Sequence, residues 1–148
     1  MQLTISHEIY KVSQPQELKQ LLSEAPCPLV EVLLNNKDGW PTICALINAD
    51  SGWLIYLRSE GDSGFSTRNP EYRGSPTAVI EYLLADGQRD EYPASWDIST
   101  AEAMRALEYF LTEEKMAPWL ELASGLSIWS GTRSIHARPQ RLKLESVR

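Results

Sequence analysis

Apolar residues recur every third or fourth position in two stretches of this chain and bunch into short β-branched or aromatic runs elsewhere. That division separates helices from strands. Leu18, Leu21 and Leu22 mark one face of a short helix that opens at Ser13, with Gln16 as capping-box partner and Pro15 in an early helical position, and closes near Ala25 ahead of Pro26 and Pro28. A longer helix is predicted over 100–115, where Ser99 and Glu102 form a capping box and Ala103, Met104, Leu107, Phe110 and Leu111 make an apolar stripe that reads as core. Residues 29–35, 42–47 and 53–57 read as three strands separated by tight-turn compositions, hence an antiparallel meander. The last of the three is central and covered on both faces, while Glu31 suggests an edge or a partly covered face for the first. Residues 1–12 supply an edge strand, 64–67 a short strand inside the long polar connection 58–76, and 77–84 and 89–92 a hairpin around Asp86 and Gly87, with a helix as the alternative for 77–84.

The class that follows is α+β: an antiparallel sheet of about five to six strands packed with an N-terminal and a late amphipathic helix. At 148 residues the chain suits one domain, which buries roughly 70% of the surface of its unfolded chain and needs no staple. The pattern weakens after Glu121. Residues 122–148 hold five basic groups (Arg133, Arg138, Arg141, Lys143, Arg148) and one acidic, Glu145, a net +4, against a net −10 over residues 1–121. A domain over 1–121 and a basic extension over 122–148 are therefore expected, with 126–129 as a further strand candidate.

The overall charge of −6 argues against direct binding of nucleic acid and for a soluble protein or one with a basic partner. Two cysteines, Cys27 and Cys44, are too few for a disulfide framework and read as free core thiols. No apolar run approaches the roughly 18 residues of a membrane span, and the first residues have no leader pattern, so a cytoplasmic address is expected. No cofactor is implied. Gly61-Asp62-Ser63-Gly64 matches the core of the nucleophile motif of trypsin-like proteases, but His7 and His136 lie at the two extremities and the rest of that pattern is missing. Paired metal-ligand spacings and Gly-rich phosphate loops are also missing. No metal or catalytic residue is assigned.

In order, the three-strand meander, Glu60-Gly61 on the connection leaving its third strand, Gly64-Phe65-Ser66, and a late helix followed by Ala117-Pro118-Trp119-Leu120-Glu121 make a recognisable series. It resembles the first-numbered immunity protein family of bacterial polymorphic toxin systems, over roughly residues 16–121. Glu60 and Gly61 match that family's Glu-Gly motif, and Trp119 and Glu121 match part of its C-terminal motif. The chain departs at Leu122, where the family tends to carry another tryptophan. The resemblance implies an α+β fold, no catalysis, and neutralisation in the cytoplasm of a cognate toxin protein, such as a nucleic-acid deaminase or nuclease, by direct binding. The expected partner-binding residues are Glu60, Asp62 and Phe65 on the long connection and Asp86, Asp90 and Glu91 on the hairpin. A binding or regulatory module unrelated to toxins, or a small enzyme, is the alternative.

Overall fold

The computed structural model describes residues 1–25 and 29–124. Ten strands, two α-helices and one 3-10 turn are present among them: β1 (Gln2–Ile5), β2 (Glu8–Lys11), α1 (Pro15–Ser23), β3 (Leu29–Asn35), β4 (Thr42–Asn48), β5 (Ser51–Leu57), β6 (Phe65–Arg68), β7 (Val79–Leu83), β8 (Arg89–Pro93), the turn Ala94–Trp96, β9 (Ile98–Ser99), α2 (Thr100–Glu113) and β10 (Glu121–Ser124). The class is α+β with a large antiparallel sheet and two helices, and the strands outnumber the five to six expected. Eight of them form one sheet in the order β10-β6-β5-β4-β3-β1-β2, with β9 also on β5. Strands β7 and β8 form a separate two-stranded ribbon.

Side-chain alternation divides this sheet between two cores. Val30, Val32 and Leu34 of β3, Ile43 and Ala45 of β4, and Leu54 of β5 face α1 and α2, where they meet Leu18, Ala103, Leu107 and Phe110. Tyr56 meets the Phe110 ring edge-on at 6.2 Å between centroids. On the opposite face Cys44, Leu46 and Trp53 lie under the β7–β8 hairpin with Tyr82. The expected double covering of the third meander strand is present: Trp53 faces the hairpin and Leu54 the helices.

Where sequence and structure part, local chemistry explains the difference. One edge strand was expected over 1–12, but Ser6 takes a left-handed φ of 54° and folds the segment into the β1–β2 hairpin without a glycine or asparagine to announce it. Helix α1 is capped one residue later than expected. Pro15 occupies the first helical position, so Gln14 is the N-cap, and the Glu17 carboxylate accepts from the backbone N–H groups of Ser13 and Gln14 at 2.8 and 3.1 Å. Glu31 is not on an edge, since β3 lies between β1 and β4. The Ser99–Glu102 box of α2 forms as expected, with the Glu102 N–H donating to Ser99 Oγ at 3.1 Å. Strand β10 pairs with β6 and carries the sheet to Ser124. Cys44 is a buried free thiol. Cys27, His136 and the strand candidate 126–129 lie outside the described residues.

The hairpin is an excursion from the sheet whose two ends meet. Asn69 N–H donates to the Ser95 carbonyl at 2.9 Å, and Ala94 N–H to the Ala78 carbonyl at 2.8 Å. Between these closures the excursion lies over the Cys44 face, with Trp53 and Tyr92 stacked at 4.5 Å and 11°. Arg68 fixes the return, its guanidinium 3.8 Å from the Trp96 ring and donating to Ser66 Oγ at 2.9 Å.

Candidate functional site

The loop leaving β5 is built around Asp62. Its carboxylate accepts from the Arg58 backbone N–H at 2.9 Å, from Arg58 Nε at 2.8 Å and from Arg58 Nη2 at 2.9 Å. Those bonds hold the Asp62 carboxyl well below the usual carboxylate range and leave its side chain only 6% exposed. The same guanidinium lies 4.8 Å from the centroid of the Phe65 ring. Arg58 thus engages two of the three residues expected to contact a partner here. Glu60 and Gly61 remain at the exposed tip of the loop.

Asp86, Asp90 and Glu91 sit on the hairpin, and the strand register puts them far from that loop. Arg58 follows Leu57, which pairs with Thr42 at one end of the β4–β5 ladder. The hairpin is tied to the other end, where Asn48 Nδ2 donates to the Glu81 carbonyl at 2.8 Å. Six residues of extended strand separate the two ends, about 20 Å. The two groups of expected contacts are therefore not brought into one patch. At the hairpin tip Asp86 Oδ1 accepts from Gln88 N–H at 2.9 Å and Asp90 Oδ1 from Gln88 Nε2 at 2.8 Å. Glu31 reaches up from β3 and accepts the Ala85 N–H. Burial pushes its carboxyl up despite that hydrogen bond, and the charges of Asp86 and Asp90 add to the rise.

A third cluster lies on the outer face of α2. Ala117, buried to 2% exposure, plugs the core after the helix, and the Leu120 N–H closes a turn onto its carbonyl at 3.3 Å. That turn places Trp119 outside, 43% exposed, against two α2 side chains one helical turn apart. The Tyr109 ring meets it edge-on at 5.2 Å and 80°, and the Arg105 guanidinium stands 5.0 Å from its centroid. Lys19 of α1 bridges to Glu108 beside them at 3.3 Å. Glu121 is exposed at the start of β10, opposite Arg68. Arg105 and Tyr109 were not singled out in the sequence. Their signal was a four-residue spacing on the polar face of a helix whose apolar stripe drew the attention.

Among the described residues no group of three or more His, Cys, Asp and Glu side chains is arranged to hold a metal ion, and no helix is long and apolar enough to cross a membrane. Burial drives the Cys44 thiol up, away from the thiolate that nucleophilic chemistry requires. His7 stands on the β1–β2 turn, near Glu31 rather than Ser63. No protein-family model matches the sequence, and no curated protein matches it either.

Proposed function

We propose that this protein acts by binding another protein and that, as the immunity-family resemblance implies, its partner is a cognate toxin held inactive in the cytoplasm. The observation that carries the reading is the exposed Trp119 with Tyr109 and Arg105 packed around it. Tryptophan, tyrosine and arginine are the side chains most enriched at interface hot spots, because each removes a large area from water while keeping a polar handle. Here the three support one another before any partner arrives, so little side-chain freedom remains to be lost on binding. Trp119 also belongs to the motif on which the resemblance rests. The acidic balance of residues 1–121 favours a partner with a basic surface, as a protein that handles nucleic acid would present, and would speed the encounter.

The test begins at the neighbouring genes, where this reading expects a multidomain toxin, and proceeds by co-expression and calorimetry with its toxin domain. A stable complex is expected for the parent, with affinity lowered by about 2 kcal/mol or more, some thirtyfold, in a folded Trp119→Ala variant. Glu60→Ala, at the exposed tip of the β5–β6 loop, reports whether the Glu-Gly motif shares the interface. Protection of cells without an isolable complex would sink the binding reading, and unchanged affinity in Trp119→Ala would remove the α2 surface from it.

A further inference from the structure

We infer that the free edge of the large sheet, strand β2 with the cleft beside it, docks an extended basic segment of a partner protein as an added strand. The pairing of β1 with β2 decides which backbone groups are free. Met1 and Val12 exchange both hydrogen bonds, Val12 N–H to the Met1 carbonyl at 3.0 Å and the Met1 ammonium to the Val12 carbonyl at 2.7 Å. Bonded and non-bonded pairs alternate along an antiparallel ladder. Leu3–Tyr10 and Ile5–Glu8 are then bonded pairs, and Gln2–Lys11 and Thr4–Ile9 are not. The N–H and C=O groups of Ile9 and Lys11 accordingly point away from β1, on a side where no described strand lies. Ile9 is 58% exposed, more than any other large hydrophobic residue described.

The side chains of β2 say what kind of strand fits. Glu8 and Tyr10 share the face of Ile5 and Leu3, toward α1, while Ile9 and Lys11 take the other face. On the α1 side lies an open cleft of about 500 Å³ lined by Ile5, Tyr10, Leu21 and Ala25, by the turn residues Ser6 and His7, and by the exposed Glu8 and Glu24. The Tyr10 hydroxyl donates to Glu8, while Glu24 Oε1 accepts from Gln20 Nε2 at 3.2 Å; the Tyr10 pKa is raised first by its bond to Glu8 and further by the charges of Glu8 and Glu24. A lysine or arginine on the incoming strand would lay its aliphatic stem over Leu21 and Ala25 and set its charge between Glu8 and Glu24. The next residue along, on the opposite face, would cover Ile9. The two charges of this four-residue edge are opposite and lie on opposite faces, Glu8 toward α1 and Lys11 away from it, so it is Glu8 together with Glu24 that calls for a basic side chain on the α1 side of the incoming strand. This edge lies across the sheet from β10 and is independent of the Trp119 surface.

The experiment uses the full chain, isotope-labelled, and a capped heptapeptide of alternating lysine and valine, with a glutamate-for-lysine twin as control. Amide exchange at Ile9 and Lys11 should slow when the lysine peptide is added and stay unchanged with the glutamate peptide. Ile9→Pro removes an outward N–H and no ladder bond, so it should abolish binding while keeping the parent's melting temperature. The double substitution Glu8→Gln, Glu24→Gln should weaken binding by about fivefold or more at low salt, and it carries the decision if Ile9→Pro fails to fold. Unchanged exchange at Ile9 and Lys11 with excess lysine peptide, or equal binding of the two peptides, overturns the inference. So does protection of these amides in the chain alone. Protection that grows with protein concentration would assign the edge to a second copy, and concentration-independent protection would assign it to residues 125–148 of the same chain.

Discussion

Gly61 and Gly64 lie three residues apart with nearly the same left-handed backbone, φ 76° and 77°, yet a methyl group would meet different surroundings at each. At Gly61 it meets nothing within 4 Å, so Gly61→Ala carries only the backbone strain of a non-glycine residue, about 1–2 kcal/mol. At Gly64 it would stand 2.8 Å from carbons of Ile55 and Leu57, which adds an overpacking cost of about 1–3 kcal/mol. Urea unfolding should place Gly64→Ala well below Gly61→Ala, and equal midpoints would mean that β6 is not seated tightly on β5. Gly64, unlike Gly61, is therefore a structural glycine, a distinction that two glycines in one polar loop did not reveal. Residue identities were legible where burial follows from pattern alone: Trp53 and Phe110 are in the core as expected. They were less legible where a side chain chooses among neighbours. Nothing in the order of residues says that Asp62 folds back onto Arg58 or that Trp119 rests on α2, because both depend on a turn that only the packed chain defines.

The β7–β8 hairpin is the element least determined by its own sequence. Its strands and its Asp86-Gly87 tip were readable from turn chemistry, but its separation from the large sheet was not, since a ribbon crossing a sheet face shows the same alternation as one that continues the sheet. What holds it includes two carboxylates beneath it, Glu31 under the tip and Asp97, which accepts the Tyr82 hydroxyl at 3.0 Å. Burial is the main cause of an upward pKa shift in both. A carboxyl with a raised folded pKa binds its proton more tightly in the folded state, so stability falls as pH rises from about 4 through the folded value and is level above it. Asp62 acts with the opposite sign: its lowered pKa gives stability present above about pH 4 and lost as the pH falls toward the folded value. Glu31→Gln keeps an oxygen for the Ala85 N–H and removes the buried charge. Its stability relative to the parent should therefore improve between about pH 4 and pH 7, measured by thermal melts across that range. A difference between the two that does not change with pH would place Glu31 in solvent in the working structure.

At the scale of the whole molecule, the sheet separates two cores that can be perturbed one at a time, with the helices on one face and the excursion on the other. The meander β3-β4-β5 was legible because each strand pairs with its neighbour in sequence. The β2 edge was legible in position, since residues 1–12 were expected there, though not as a hairpin; the β10 edge was not, because it is added by a segment from the far end of the described chain. The excursion itself leaves and rejoins the framework at the Asn69–Ser95 hydrogen bond. A stem closed in this way uncouples the length of what it carries from the stability of what carries it, since closure entropy grows with the logarithm of loop length, about 0.6 kcal/mol per doubling. A short Gly-Ser insert after the exposed Gly74 should therefore shift the melting temperature little, whereas the same insert after Ala49, in the two-residue turn joining β4 to β5, should lower it strongly. The arm beyond Asn69 becomes a splice point: a fluorophore or affinity handle placed there would ride on the molecule while leaving the α2 surface and the β2 edge unmodified.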